Sequence, residues 1–276
     1  MKDFFEKCEA AYFSGYPIIS DEEYDALVAK WNHQSVGHTV TDGVPHLYKM
    51  YSLQKFFDLA EAPDTFEYVC TPKLDGAAVS LLYVNGHFAL GLTRGDGNLG
   101  RDVTTKLEEL VPATIPMRGS VQITGEIVLP SFVPNARNAA AGLLNVKDIF
   151  EFRERSQDLV FVAYDLQYER DYTDYKSAMF ALAHEGFSVV TDFDATEYPT
   201  DGLVYRLRDQ RAFKKMGYTA HHPRGAFALK EQKEGMITEL LDVVWQVGKS
   251  GVVLSLIHIS EPTRRYAISY AVFCLK

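Results

Sequence analysis

Two strand-like runs joined by a tight turn constrain how this 276-residue chain can fold. The run 69–83 is apolar and strand-like, Asn85-Gly86 follows it, and a second run covers residues 87–93. Asn-Gly between two such runs is typical of a two-residue β-hairpin turn, because both residues tolerate positive φ. The sequence therefore predicts an antiparallel hairpin here.

The first of these runs contains Lys73-Leu74-Asp75-Gly76, a lysine flanked by a proline, an acid and a glycine. An ordinary lysine is protonated at neutral pH, so a nucleophilic lysine must lose its proton, which nearby cations or burial favour. The position suits a lysine that attacks a phosphorus atom. Taken alone, the four residues are more typical of a surface turn with a solvated lysine.

Two further charged residues stand in segments that suit phosphate chemistry. Arg94 lies in the glycine-rich stretch 93–100, where backbone can approach a ligand closely and arginine can bind phosphate through two hydrogen bonds. Glu126 lies inside the apolar run 121–129, where a carboxylate must be paired, solvated or bound to a cation. The plain alternatives are a hairpin loop for the arginine and a strand-edge acid for the glutamate.

Two more cations end short apolar runs. Arg206 follows an Asp-Gly turn, and period-2 alternation turns it toward the same side as Val204. Lys230 ends the run 227–230. Each cation alone can be an ordinary solvated side chain. Together with Lys73 they can converge on one phosphate group.

A mixture of helix and strand patterns indicates an α+β protein with a small helical domain at its N-terminus. Residues 1–39 have helical spacing, and Ser20 with Glu23 forms a capping box. Further patterns lie along the rest of the chain: strands at 121–129, 160–166 and 202–207, and helices at 138–146 and 175–185.

Composition excludes several classes of protein. Hydrophobic residues make up 47% and charged residues 24%, which is typical of a soluble globular chain with a sizeable core. No apolar run approaches about 20 residues, so neither a membrane span nor a membrane partner is expected. Three cysteines without metal-type spacing predict a reducing, cytoplasmic protein without structural zinc. The net charge of −9 argues against tight DNA binding by this chain alone.

In their order along the chain these motifs resemble the NAD-dependent DNA ligases of bacteria and their phages, over most of residues 12–253. The string Asn-Ala-Arg-Asn-Ala-Ala-Ala-Gly at 135–142 is the most distinctive. The other similar segments are a nicotinamide mononucleotide-side segment at 19–25, an adenosine-side segment at 46–53, the adenylation motif at 73–76, the glycine-rich loop at 93–100 with 102–104, and an OB-fold opening strand at 245–251.

The resemblance implies a role for each matched residue near the reacting phosphate. Lys73 would attack the adenylyl phosphorus of NAD, expel nicotinamide mononucleotide and keep AMP in a phosphoramide bond. Arg94 would contact the nucleotide, and Glu126 the ribose or a hydrated magnesium ion. Asp75 would orient Lys73 or bind the metal, and Lys230 would neutralise charge on the transferring phosphate.

The same resemblance implies the remaining parts of the reaction. Ser52 and Leu53 would border the adenosine, and Asp21, Tyr24 and Asp25 would surround the departing nicotinamide half. AMP would then pass to the 5′-phosphate of nicked double-stranded DNA, and attack by the 3′-hydroxyl would release it. NAD and Mg²⁺ are the implied cofactors, and a monomer is expected.

Some positions depart from the family pattern. Thr71 stands where the family usually has a glutamate on the adenine side, and Gly225 stands where an aromatic residue is usual. Arg206 replaces a lysine, which keeps the charge but not the geometry. A non-catalytic module that binds nucleotide or nicked DNA is therefore an alternative. ATP-dependent ligases and RNA-capping enzymes share the lysine motif, but they need no nicotinamide pocket.

The expected organisation follows from these matches. Residues 1–39 form a helical nicotinamide mononucleotide-binding domain and residues 40–236 an adenylation, or nucleotidyltransferase, domain of antiparallel sheets and helices. Residues 237–253 supply the first strand of a truncated OB-fold with an unpaired edge. Residues 254–276 resemble a translated sequencing adapter and are interpreted as an artefact. On this hypothesis the chain is a fragment limited to self-adenylation, and the family's zinc site is absent from it.

Overall fold

The computed structural model describes residues 43–168, 172–231, 240–247 and 253–259. The chain divides into two compact units, the first ending at Glu231 and the second beginning at Gln232. The predictions for residues 1–39, including Asp21, Tyr24 and Asp25, lie outside the described residues. No helix in the described ranges is long and apolar enough to span a membrane.

The first unit mixes strands with short helices, as the sequence predicts for an α+β protein. Its elements are β1 Val44–Pro45, β2 Gln54–Phe56, a 3₁₀ turn Leu59–Glu61, β3 Tyr68–Leu74, β4 Ala77–Val84, β5 His87–Thr93, β6 Leu99–Gly100, α1 Thr104–Leu107, β7 Ser120–Val128, α2 Ala136–Asn145, α3 Ile149–Arg155, β8 Val160–Tyr168, α4 Tyr175–His184, β9 Ser188–Val189, β10 Thr200–Leu207, α5 Gln210–Met216 and β11 Ala226–Lys230.

A five-stranded sheet in the order β5-β4-β7-β8-β9 contains the predicted hairpin. β4 and β5 pair antiparallel, and the turn residues Asn85 and Gly86 have φ of 51° and 88°. Apolar side chains from β4, β7 and β8 form the main core together with α2 and α4. Leu81 and Ile123, directly opposite each other in this sheet, are fully buried. The hairpin prediction is confirmed.

A second sheet has four strands in the order β2-β11-β10-β3. The run 69–83 is therefore not one strand but two, because β3 ends at Leu74 in this sheet and β4 begins at Ala77 in the other. The chain passes so close to β7 at Gly76 that a Cβ there would lie 2.1 Å from the carbonyl oxygen of Ile127. Glycine permits this crossing between sheets, which places the lysine motif where the two sheets meet.

Helices follow from local capping signals. Asp174 caps α4 by accepting hydrogen bonds from the backbone N–H groups of Lys176 and Ser177, and the helix ends within one residue of its predicted end. α2 begins after Asn135, whose φ of 50° lies in the left-handed region. Both helices were predicted from apolar spacing, with boundaries that agree within two residues.

The second unit contains a two-stranded sheet in its described part. β12, Leu240–Val247, pairs antiparallel with β13, Val253–Ile259. β13 pairs with one edge of β12, where the sequence analysis expects the first strand of a truncated OB-fold to lack a partner. Most of β13 falls in the segment 254–276 that the sequence analysis interprets as adapter-derived.

Candidate active site

Three charged side chains come together on one face of the four-stranded sheet. β3 supplies Lys73, β10 supplies Asp201 and β11 supplies Lys230. The Nζ atom of Lys73 lies 3.0 Å from Oδ1 of Asp201, and Nζ of Lys230 donates a hydrogen bond of 2.7 Å to Oδ2. One carboxylate therefore holds both lysines, and we call these three residues the lysine–aspartate cluster.

Electrostatics keep the shared carboxylate ionised. Burial acts to raise the pKa of Asp201, but the hydrogen bonds and charges of Lys230 and Lys73 outweigh it and leave that pKa below its ordinary value. The side chain of Lys73 is still 26% exposed. A ligand phosphate can therefore reach the amine that the sequence singles out.

Glu126 stands beside this cluster on β7. Its Oε1 atom accepts a 3.2 Å hydrogen bond from the backbone N–H of Gly76, at the crossing between the sheets. Burial raises its pKa to about 7, against the opposing effects of the Lys73 charge and of that hydrogen bond. The carboxyl can thus be either protonated or ionised near neutral pH, which suits a group that contacts either a ribose hydroxyl or a hydrated cation.

Asp75 contacts an arginine of the most distinctive sequence block. Nη1 of Arg137, in the first turn of α2, lies 3.0 Å from Oδ1 of Asp75. The resemblance gives Asp75 the task of orienting Lys73 or binding metal, whereas its ion pair in this structure is with Arg137. The position of Arg137 ties α2 to the lysine motif.

The glycine-rich segment forms a compact loop around Arg94. Gly95 and Gly97 have φ of 57° and 90°, and a Cβ on Gly97 would lie 2.5 Å from the carbonyl oxygen of Met50. His46 fixes the loop, because its ring nitrogens lie 2.8 Å from the Ser80 hydroxyl and 3.1 Å from the Arg94 carbonyl oxygen.

Arg94 itself has a donor available for a ligand. Its Nε atom is buried without a hydrogen-bond partner in the described part of the chain. A buried donor of this kind is costly unless a ligand or water satisfies it. Its positive charge acts to lower the pKa of Lys55 and that of Tyr164. The arginine therefore belongs to the charged surroundings of the lysine–aspartate cluster.

Arg206 lies on the same sheet face as Lys230 but away from the cluster. Alternation along β10 was predicted correctly, because Arg206 faces the same way as Val204. It is opposite Ala226, however, four residues before Lys230, or about 13 Å along a strand. The expected convergence of Arg206 on the same phosphate as Lys73 is not seen in this structure.

The guanidinium of Arg206 is instead built into the core. It forms an ion pair with Asp165 of β8, and Nη2 donates a 3.1 Å hydrogen bond to Gln210. Its Cζ atom lies 4.4 Å from the ring centre of Tyr175 and 4.3 Å from that of Phe213. These contacts pair and pack the guanidinium of Arg206, while its Nε atom, like that of Arg94, has no hydrogen-bond partner in the described part of the chain.

Each adenosine-side residue has its own set of contacts in the structure. Thr71 is buried on β3 opposite Val204, on the face that carries Lys73. Ser52 binds the carbonyl oxygen of His221 through its backbone N–H at 3.1 Å and its hydroxyl at 3.0 Å. Leu53 packs against the small apolar cluster around Leu207.

Sequence reasoning missed three residues in or near the cluster. Asp201 was interpreted only as part of a turn, although an acid so close in sequence to the run that ends with Arg206 was a usable signal. Arg137 lies in the most distinctive block but received no role. Lys55 carried no local signal, because the strand that brings it here pairs with residues about 170 positions later.

The mixed α+β architecture and the lysine–aspartate cluster together describe a nucleotidyltransferase, or adenylation, domain. The family model for the NAD-dependent DNA ligase adenylation domain matches residues 40–197, which is more than half of the chain. This chain therefore belongs to the NAD-dependent DNA ligase family.

Curated relatives are similar over most of this chain. It is 33% identical to the DNA ligase of Aquifex aeolicus, covering 88% of this chain and 44% of the relative. DNA ligase 1 of Nocardia farcinica is 30% identical, with coverages of 95% and 48%. A solved structure of a Lig E DNA ligase aligns with a TM-score of 0.42 and 16% identity, covering 80% of this chain and 84% of that one. The chain spans about half the length of the curated relatives it matches.

Proposed function

We propose that this chain is the self-adenylating part of an NAD-dependent DNA ligase, in which Lys73 accepts AMP from NAD. The observation that carries the proposal is the pairing of Lys73 and Lys230 with one carboxylate on a face that ligand can reach. Such a site concentrates positive charge where a phosphoryl group would gain negative charge during transfer.

The proposed step forms one bond as it breaks another. The amine of Lys73 attacks the adenylyl phosphorus, the P–N bond forms, and the P–O bond to nicotinamide mononucleotide breaks. The leaving phosphate takes the electron pair. The lysine must give up its proton first, and Asp201 lies within hydrogen-bond distance to accept it. Lys230 and Arg94 then bind the charged oxygens of the transferring phosphate.

Magnesium fits this proposal as an ion that arrives with phosphates. Within the described ranges, no group of three His, Cys, Asp or Glu side chains is arranged to hold a metal. Mg²⁺ commonly uses one or two carboxylates and otherwise water and substrate phosphates. The carboxyl of Glu126, with Asp75 close enough to influence its pKa, could supply such a ligand. The ion would offset phosphate charge. No zinc is assigned to this chain.

The full ligation reaction is proposed only for a protein of the length of the curated relatives, about half of which this chain spans. There AMP passes to the 5′-phosphate of a nick in double-stranded DNA, and the 3′-hydroxyl completes the phosphodiester bond. Residues 1–39 would form the nicotinamide mononucleotide-binding domain, with Asp21, Tyr24 and Asp25 around the leaving half. Residues 40–236 would form the adenylation domain. A cytoplasmic monomer that binds nicked DNA weakly is proposed for this chain.

One observation favours a second candidate, a nucleotide-binding module without turnover. Arg206 is committed to Asp165 and Gln210, so one cation expected at the phosphate is absent from the lysine–aspartate cluster. The two candidates differ in whether a covalent bond forms.

The test is to incubate the full chain with Mg²⁺ and either NAD or ATP, each labelled in the adenylyl phosphate. Label that stays with denatured protein from NAD, but not from ATP, supports the proposal. If neither NAD nor ATP leaves label on the protein although NAD binds, the result supports the nucleotide-binding module without turnover. Label from ATP alone contradicts NAD dependence.

A further inference from the structure

His46 lies between a strand of the five-stranded sheet and the glycine-rich loop. Its Nδ1 atom lies 2.8 Å from the hydroxyl oxygen of Ser80 on β4, and its Nε2 atom lies 3.1 Å from the carbonyl oxygen of Arg94. The pairing of β1 with β6 brings the histidine to this place, because Pro45 is opposite Leu99. The ring therefore joins the loop to the main sheet.

The partners of the His46 ring determine which of its nitrogens carries a proton. A carbonyl oxygen can only accept a hydrogen bond, so Nε2 is the donor to Arg94. In a neutral ring Nδ1 is then an acceptor, and the Ser80 hydroxyl can donate to it. Burial lowers the pKa of His46, although the hydrogen bond to Arg94 and the charge of Asp96 oppose this effect. The neutral ring, which uses both nitrogens, is therefore the favoured form near neutral pH.

The main chain of Arg94 is fixed on both sides of its Cα atom. Its N–H group donates a 2.9 Å hydrogen bond to the carbonyl oxygen of Ala78 on β4. Its carbonyl oxygen accepts a 3.0 Å hydrogen bond from the N–H group of Gly97 and the one from Nε2 of His46. Of these three hydrogen bonds, only that of His46 comes from a side chain. A substitution can therefore remove it while the backbone pairing around it is kept.

The direction of the Arg94 side chain depends on this anchoring. Fixing both peptide groups of a residue fixes its Cα–Cβ bond and restricts the rotamers that follow. The Nε atom of Arg94 is buried without a hydrogen-bond partner in the described part of the chain, so a donor is held ready for a ligand. A side chain that is ordered in advance loses less conformational entropy when the ligand binds. His46 can thus influence binding without touching the ligand.

We propose that His46 is a positioning residue, which holds Arg94 in the orientation that binds NAD. The inference rests on the proposed function, because NAD is the ligand that Arg94 would contact. Without the ring, NAD itself must order Arg94, and ordering one such side chain weakens binding about three- to tenfold. The plain alternative is a histidine that only fills space beneath the loop, where a Cβ on Gly100 would lie 3.0 Å from Nε2.

Two substitutions of His46 separate these alternatives. The amide nitrogen of His46→Gln can reach the position of Nε2 and donate to Arg94, whereas His46→Asn reaches only as far as Nδ1 and Ser80. Adduct formation is measured over a range of NAD concentrations, and urea unfolding establishes that each variant is folded.

The proposal predicts a difference in KM between these two variants. KM for NAD should rise about three- to tenfold in His46→Asn and stay within about twofold of the unchanged chain in His46→Gln. The rate constant at saturating NAD should change little in either variant. His87→Ala, which removes an exposed histidine on β5, is the control and should match the unchanged chain.

A double substitution shows whether His46 acts through Arg94. When Arg94→Ala is already present, adding His46→Asn should change KM by no more than about twofold, because the side chain that the ring positions is gone. A role in packing alone would instead multiply the two effects on KM, and that result would overturn the inference.

The outcomes separate this inference from the proposed function. If the unchanged chain forms the adduct and the two variants of His46 have equal KM, the role of His46 is overturned and the proposed function stands. If the unchanged chain binds NAD without forming an adduct, the proposed function fails. In that case the calorimetric NAD affinities of His46→Gln and His46→Asn test the inference, and equal affinities overturn it. Absence of any NAD binding by the unchanged chain overturns both.

Discussion

Lys73 and Asp201 form an ion pair across neighbouring strands β3 and β10, with 3.0 Å between Nζ and Oδ1. The sheet pairing fixes this contact, because Leu74 is opposite Thr200 and Pro72 is opposite Leu203. A short irregularity in the pairing between Thr200 and Leu203 brings Asp201 toward the lysine. Lys73 is thus held by main-chain geometry rather than by a flexible loop.

Asp201→Asn tests the importance of this carboxylate. The variant keeps the shape but loses the charge that holds Lys73 and Lys230, so adduct formation with NAD should fall by at least about tenfold. Asp158→Asn removes an exposed acid and serves as a control. An unchanged rate in Asp201→Asn would show that the ion pair does not position the nucleophile.

Substitution of Arg206 tests whether it belongs to the core or to the phosphate site. Arg206→Ala leaves Asp165 without its partner in a largely buried place, so the free energy of unfolding should fall by about 3–5 kcal/mol. Arg206→Lys should lower the free energy of unfolding by a smaller amount. Adduct formation by the folded fraction should change little. Full stability with lost adduct formation would assign Arg206 to the substrate instead.

Glu126 should make stability depend on pH. Burial raises its pKa from 4.5 to about 7 in the folded state, so between these values the folded protein holds a proton that the unfolded chain has released. Stability contributed by the protonated form is present at low pH and is lost as pH rises through about 7.

Glu126→Gln should remove that dependence. In urea unfolding, the free energy of unfolding of the unchanged chain should fall from pH 5 to pH 8. This fall should exceed that of the variant by on the order of 1–3 kcal/mol. Parallel loss in both proteins would mean that the pKa of Glu126 is not raised.

Gly225 should be intolerant of a side chain, although an aromatic residue is usual there in the resembling family. A Cβ at Gly225 would lie 2.7 Å from Cδ2 of Phe213 and 3.2 Å from Cδ1 of Leu207. Gly225→Ala should therefore lower the free energy of unfolding by about 1–3 kcal/mol. Gly142→Ala is the matched control, because a Cβ there meets nothing within 4 Å and alanine favours the helix. Equal stability of the two variants would contradict the packing at Gly225.

The sequence predicted those features that depend on local pattern. The hairpin at Asn85-Gly86 follows from turn chemistry, and alternation correctly placed Arg206 on the face of β10 that Val204 shares. The break at Gly76 was missed, because its cause is the close approach to Ile127, a residue of β7 that lies far along the chain. Local spacing cannot show such an approach.

Long-range pairing explains the other contacts of the site that the sequence did not predict. Arg206 was expected at the phosphate because its partner, Asp165, is 41 positions away in the other sheet and leaves no local signal. Arg137 and Asp75 are 62 positions apart. Lys55 came to the site through a parallel pairing between distant strands, which apolar spacing does not reveal.

The central claim is that Lys73 takes AMP from NAD, and peptide mapping after incubation tests it most directly. The full chain, freed of any bound AMP, is incubated with NAD and Mg²⁺ beside Lys73→Ala, and intact mass and then peptide masses are measured. The account predicts one AMP adduct, located on the peptide that contains Lys73, and none on the variant. A folded, NAD-binding protein without an adduct, or an adduct that persists in Lys73→Ala, would contradict it.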